Sequence, residues 1–269
     1  MKLASPLFRD DPRVEWLPDD PDAVEAHVRI DGTCDLVVGY HGGRFGELDA
    51  FVRRCAGDRA EIWARFTDAT GANVLDAGAQ LAADHARLQV YLRGHYGPDA
   101  VARAFAAVGC EAHRQLVANA LALFQLQSAE MIGLELEGDR IGAAIYLAVP
   151  NRGPADVAAI ADAIGFVVAA LRPASDAAAQ WRLVAAELLA TASEEFIYVS
   201  FEPTSELRWI KIDVGPRPLA LGGVIAQRLG LDPSALLATG AAHDMRLLTH
   251  LGLRFGGASP AVSIYHALR

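Results

Sequence analysis

Short stretches of alternating apolar and polar residues recur along this chain, and each predicts a strand with one buried face. Leu88-Gln89-Val90-Tyr91-Leu92-Arg93 reads apolar, polar, apolar, aromatic, apolar, cation. Ala144-Ile145-Tyr146-Leu147, Lys211-Ile212-Asp213-Val214 and Ser263-Ile264-Tyr265-His266 repeat the pattern, each as the second half of a hairpin followed by helix or by the end of the sequence. Tyr91 to Tyr146 is 55 residues, Tyr146 to Asp213 is 67 and Asp213 to Tyr265 is 52, so one supersecondary unit repeats.

Five hairpins follow from the pattern. The first pairs 24–30 with 34–41 across Asp31-Gly32. The second pairs 61–66 with 88–95, leaving the Asp-, Gly- and Ala-rich stretch between them as an insertion. The third joins 131–136 to 141–149 around Gly138-Asp139, the fourth 196–201 to 207–214, and the fifth 247–255 to 261–267 around Gly256-Gly257. Helical periodicity fills the intervals at 45–55, 98–108, 111–128, 154–171, 176–193, 219–229 and 233–239. Residues 1–23, rich in Pro and Asp, read as an irregular lead-in to one domain over 24–269. Hairpins separated by helices suit an α+β fold, an antiparallel sheet with helices on one face, and ten such strands close into a barrel that has no edges.

The helix-facing parity is apolar throughout, for example Val90 and Leu92, Ile145 and Leu147, Ile210 and Ile212. The opposite parity faces the lumen. It is aromatic and charged, with cations at Arg29, Arg65, Arg93, Lys211 and Arg254. Enclosed cations repel one another by about 4 kcal/mol per close pair at an effective dielectric near 20, so they require anions. Glu61, Glu135 and Asp213 balance some of them, and an anionic ligand is expected to balance the rest. An open sheet would instead leave this parity facing solvent, but a solvated face is normally richer in Lys and Glu and poorer in Trp and Tyr.

The net charge of −9 argues against a nucleic-acid partner, which needs a basic face. No apolar run reaches the roughly 20 residues of a membrane span. No secretory signal is evident at the N-terminus, so a cytoplasmic monomer is expected. Three cysteines without CxxC spacing, Cys34, Cys55 and Cys110, read as small buried apolar residues. The acidic pairs Asp10-Asp11 and Asp19-Asp20 do not form a DDxxD metal motif, because Ala23 stands at the third position and prolines flank both pairs. The loop Gly39, Gly42, Gly43, Gly46 has neither the GxGxxG nor the Walker spacing and reads as a strand-to-helix turn. No metal site or cofactor is expected.

Hairpin and helix-pair units with an apolar-Tyr-apolar second strand resemble the ABBA-type aromatic prenyltransferases, the prenyltransferase-barrel family. Leu207-Arg-Trp-Ile-Lys-Ile-Asp213 is similar to that family's Arg/Lys-containing strand, and Leu251-Gly-Leu-Arg-Phe255 with Val262-Ser-Ile-Tyr265 to its closing hairpins. The resemblance implies a ten-stranded antiparallel barrel ringed by helices. It also implies metal-independent transfer of an allylic prenyl group from its diphosphate to an electron-rich aromatic small molecule. Lys211 and Arg254 match diphosphate-binding positions of the family, and Arg65 and Arg93 join them by lumen parity. Tyr91, Tyr146 and Tyr265 match its cation-shielding tyrosines, and Tyr198 is placed with them. Trp63 and Trp209 are the acceptor-pocket candidates, and Glu61, Glu135 and His250 the proton acceptors. Gln89, Ala144 and Ser263 stand where a cation often precedes the tyrosine, and Asp213 replaces a tyrosine. The alternative is the same barrel without transferase activity, binding or cyclising an anionic or aromatic metabolite.

Overall fold

The structure, a computed structural model, describes residues 17, 21–41, 44–70, 74–82, 87–150, 156–171, 176–189, 196–204, 209–245, 247–256 and 259–268. The acidic pairs of the lead-in, together with Gly42 and Gly43, lie outside the described residues.

Ten strands close into an antiparallel barrel. In chain order they are β1 (Ala23–Arg29), β2 (Cys34–Tyr40), β3 (Asp76–Leu81), β4 (Arg87–Tyr96), β5 (Ala129–Glu137), β6 (Arg140–Val149), β7 (Phe196–Phe201), β8 (Ile210–Gly215), β11 (His250–Phe255) and β12 (Ala261–Ala267). Round the barrel the order is β1-β12-β11-β8-β7-β6-β5-β4-β3-β2, so the first and last strands pair and no edge remains. Two short strands, β9 (Arg217–Pro218) and β10 (Leu247–Leu248), pair outside it, which takes Leu247 and Leu248 out of the strand expected over 247–255.

Helices α1 (Phe45–Ala56), α2 (Ala60–Thr70), α3 (Pro98–Ala107), α4 (Arg114–Leu123), α5 (Val157–Leu171), α6 (Ala177–Leu189), α7 (Leu219–Arg228) and α8 (Ser234–Ala242) connect the hairpins. All their connections leave one end of the barrel, and the tight turns occupy the other; these are the helix end and the hairpin end. The outward strand residues, among them Val24, Val28, Val90, Ile132, Ile145, Ile212 and Ile264, are fully buried. Burying each such side chain contributes about 1.5–3 kcal/mol, so the main core is the annulus between sheet and helices.

The second hairpin differs from the sequence reading. Residues 61–66 belong to α2, where Trp63 and Phe66 are buried and Glu61, Arg65 and Asp68 are exposed at positions i, i+4 and i+7. Over six residues a period of two and one of 3.6 fit the same letters, and the exposed charges decide for helix. The true partner of β4 is β3, Asp-Ala-Gly-Ala-Gln-Leu, within the stretch read as an insertion. Ala and Gly carry little strand propensity. Pairing with β2 and β4 forms this strand, burying Ala79 and Leu81. The three cysteines are partly buried and form no disulfide among the described residues.

One buried cation serves the outer layer. Arg217 is fully buried and donates from Nε and Nη2 to the Leu188 carbonyl at 3.1 and 3.0 Å, and from Nη1 to Pro216 O at 2.8 Å. It ties the last turn of α6, where carbonyls lack helical partners, to β9.

Candidate functional site

The lumen encloses a cavity of about 530 Å³. Its walls come from the strand parity opposite the core, and they change character along the barrel axis.

At the hairpin end three guanidiniums line the cavity, Arg29 from β1, Arg87 from β4 and Arg254 from β11. Asp35 of β2 lies behind the first two. It accepts from Arg29 Nη2 at 2.8 Å, Arg87 Nη2 at 2.7 Å and Gln80 Nε2 at 2.6 Å, with His27 Nδ1 at 3.1 Å. Burial pushes the Asp35 carboxyl up. The His27 hydrogen bond and the charges of Arg87 and Arg29 more than offset this, so its pKa lies below the usual carboxylate range. Arg254 has no ion-pair partner among the described residues; its guanidinium lies over the Trp209 ring at 4.8 Å. Burial lowers the Arg254 pKa, and Glu135 is the main charge acting the other way. Glu135 in turn sits 3.1 Å from Arg140, which also pairs with Glu137 at 3.1 Å and Glu202 at 2.9 Å.

The middle of the lumen is aromatic. Tyr265 is sandwiched between His27, at 4.3 Å between centroids, and His250, at 3.7 Å. Strand register causes this stack, since His27 and His250 are the direct cross-strand partners of Tyr265. Lys211 Nζ donates to Tyr265 Oη at 2.5 Å and pairs with Asp213 at 2.7 Å. Tyr91 and Tyr146 meet edge to face at 5.3 Å. Tyr91 donates to Gln80 Oε1 and Tyr146 accepts from Gln89 Nε2, each at 3.0 Å. Burial raises the phenols of Tyr91, Tyr146 and Tyr265 well above their ordinary value, so all three are neutral. Burial lowers both imidazoles, His27 to about 4, and keeps them uncharged near neutral pH. It also raises Asp213, which Lys211 only partly offsets.

The helix end is acidic. Glu25, Asp76, His41, Arg93, Tyr198 and Thr249 line it. Arg93 is neutralised by Asp76 at 3.0 Å and Glu130 at 2.7 Å, and Tyr198 donates to Glu130 at 2.9 Å. Burial raises the Glu25 pKa, and the nearby Thr249 acts the other way.

Measured against the residues expected from sequence, the barrel brings together Lys211, Arg254, Tyr91, Tyr146, Tyr265, Trp209 and His250. Arg93 and Tyr198 stand at the helix end, away from Arg254. Glu135 is in the wall at the hairpin end, engaged with Arg140. Glu61, Arg65 and Trp63 are not in the lumen: α2 places the two charges in solvent, and Trp63 is fully buried in the outer core, its indole N–H donating to Asp49 at 2.8 Å. Glu25, Asp35, Gln80 and Arg87 were missed. Arg87 was within reach, because the alternation that picks out Gln89, Tyr91 and Arg93 extends back to it. Glu25 likewise shares the parity of His27 and Arg29.

No protein-family model matches the sequence, and no curated protein does. Among solved structures the chain is similar to 6-dimethylallyl tryptophan synthase, with a TM-score of 0.61 and 16% identity over 98% of this chain and 85% of that one. It is also similar to the NotF prenyltransferase, with a TM-score of 0.56 and 12% identity over 91% and 79% of the two chains. The fold is therefore the ABBA-type prenyltransferase barrel. No helix among the described residues is long and apolar enough to cross a membrane.

Proposed function

We propose that the lumen transfers an allylic prenyl group from its diphosphate to an electron-rich aromatic small molecule. The observation that carries this reading is the order of groups along the axis: guanidiniums at the hairpin end, neutral phenols in the middle, and a carboxyl of raised pKa at the helix end. The reaction requires the same order.

In the proposed reaction the diphosphate lies against Arg254, Arg29 and Arg87, with Lys211 nearest the reacting carbon. Breaking the allylic C–O bond sends its electron pair to the diphosphate. Each fixed donor aimed at that developing charge is worth about 3–4 kcal/mol. The allyl cation lies among Tyr91, Tyr146 and Tyr265, whose ring faces contribute about 0.5–2 kcal/mol each. The aromatic acceptor attacks from the helix end, a new bond forms at the allyl carbon, and the displaced ring proton passes to Glu25. A carboxyl held above its ordinary pKa accepts and releases a proton near neutral pH more readily than an exposed one. This assigns to Glu25 the role expected of Glu61, Glu135 or His250. Glu135 is held by Arg140, and a protonated His250 would be opposed by burial and by Lys211. Because guanidiniums supply the countercharge, turnover is expected to continue in EDTA.

A specific observation favours the second reading, a barrel that binds or cyclises an anionic or aromatic metabolite without prenyl transfer. Lys211 and Arg93 already have carboxylate partners. At the hairpin end, Arg29, Arg87, Arg140 and Arg254 are matched in number by Asp35, Glu135, Glu137 and Glu202. Transfer remains the better fit because three of those guanidiniums line the cavity and none of the four carboxylates does.

The test is incubation with dimethylallyl or geranyl diphosphate in EDTA against a panel of indoles, phenols and naphthols, read by mass spectrometry for addition of one prenyl unit. Wild type should form product, and Glu25→Gln should lose about 10²–10⁴ in kcat with diphosphate affinity unchanged. Binding of panel members without product from either donor would leave the second reading.

A further inference from the structure

Glycines on the lumen face have neighbours that explain them differently. A Cβ at Gly133 would lie 3.0 Å from the Tyr146 ring, and one at Gly252 would lie 2.7 Å from Asp213 Oδ1 and 2.8 Å from Lys211 Cε. These two make room for a side chain of the protein itself. Gly39 and Gly78 are direct cross-strand partners of each other, and both line the cavity. A Cβ at Gly39 would touch only the Ala23 methyl, at 3.4 Å; one at Gly78 would meet Val38 O at 3.0 Å and approach Tyr91 no closer than 3.9 Å. Neither has the positive φ that would call for glycine. Glycine inside a strand often marks the close approach of another group to the backbone.

The position of this bare patch is informative. Register runs Ala23, Gly39, Gly78, Tyr91 in a line across β1 to β4, so the side-chain-free wall ends at the Tyr91 ring. Glu25 is on the same face one pleat along, paired with Val37, and it also lines the cavity.

We propose that the peptide planes of Gly39 and Gly78 are the seat for a flat aromatic ligand. Its ring lies against them with Tyr91 at one edge, and its single O–H or N–H donor reaches Glu25. The seat deepens the reading above by fixing the acceptor half of the site, and it selects planar bicyclic rings over bulky or saturated ones. Gly39 sets the available depth.

The experiment measures 2-naphthol affinity by calorimetry for wild type, Gly39→Ala, Gly39→Val and Gly39→Phe, with dimethylallyl thiolodiphosphate titrated separately into each. Circular dichroism and melting check the fold; if Gly39→Phe fails to fold, Gly39→Val is read in its place. The expected result is a loss of at least about tenfold for Phe, about threefold for Val and less than about twofold for Ala, the scale on which one or two carbons in a pocket discriminate. No 2-naphthol binding by wild type, or an affinity unchanged in the larger variants, overturns the seat. If 2-naphthol follows the expected series while the thiolodiphosphate binds none of the proteins, the transfer reading fails and the seat stands.

Discussion

Arg217 is fully buried in the outer layer, and Arg254 is partly buried in the lumen. Arg217 in the outer layer spends its guanidinium on the carbonyls of Leu188 and Pro216. Arg254 in the lumen rests on Trp209 and pairs with no carboxylate among the described residues. A buried cation bonded through all three guanidinium nitrogens holds structure together; one without a carboxylate partner is, on the proposed reading, left for a ligand. Trp63 and Trp209 divide in the same way. Trp63 gives its N–H to Asp49 in the outer core, whereas Trp209 Nε1 has no hydrogen-bond partner among the described residues.

Several substitutions would break or sharpen this division. The largest expected effect falls inside the lumen, at Asp35, where one carboxylate holds two arginines. Asp35→Asn should destabilise the fold by about 3 kcal/mol or more, because it leaves Arg29 and Arg87 without their countercharge. Urea unfolding measures this, and a small effect would show that the cluster is not structural. Arg217→Met should follow at about 2–3 kcal/mol, from charge-assisted bonds to carbonyls left without partners. Arg254→Met should change stability by less than about 1 kcal/mol while weakening anion binding. Equal stability losses at positions 217 and 254 would erase the distinction.

Acid should act through the neutral imidazoles. His27 is lowered to about 4 in the folded protein, so below its ordinary value of 6.5 the unfolded chain takes up a proton that the lumen refuses. Its contribution is present above pH 6.5 and is lost as pH falls towards 4, by on the order of 3 kcal/mol. The carboxyls of Glu25 and Asp213, raised by burial, act in the opposite direction over part of that window. The clean observable is therefore the difference in slope of stability against pH between wild type and His27→Gln, with wild type the steeper. Trp63→Phe should cost about 1 kcal/mol from the lost bond to Asp49, with ligand binding unchanged.

Much of the barrel was legible in the sequence, because closure leaves every strand with one apolar and one polar parity. β4, β5, β6 and β8 carry that alternation in β-branched, leucine and aromatic residues. β3 does not, since its Ala and Gly positions acquire strand structure only from their neighbours. α2 was misread because Glu61 to Phe66 alternates as well as it spirals, and only the run on to Asp68 separates the two. In the site, parity placed Arg29, Arg93, Lys211 and Arg254 inwards, but it also placed Arg65 there and passed over Arg87. It could not find their partners, because Asp35 meets Arg87 across two intervening registers and Lys211 meets Tyr265 from another hairpin. Those contacts depend on the registers of three neighbouring strands rather than on any local pattern. They also explain why Arg254, one lumen cation among several in the sequence, stands apart in the fold.

The most direct test of the transfer account is thermal stabilisation by dimethylallyl thiolodiphosphate in EDTA, for wild type and Arg254→Met. Ligand at about 100 times its dissociation constant adds about 2.7 kcal/mol, a rise of several degrees for a domain of this size. The account predicts that rise in wild type and most of it lost in Arg254→Met, with the two unliganded melting temperatures close together. No rise in wild type, or an equal rise in both proteins, would contradict a diphosphate site at the hairpin end.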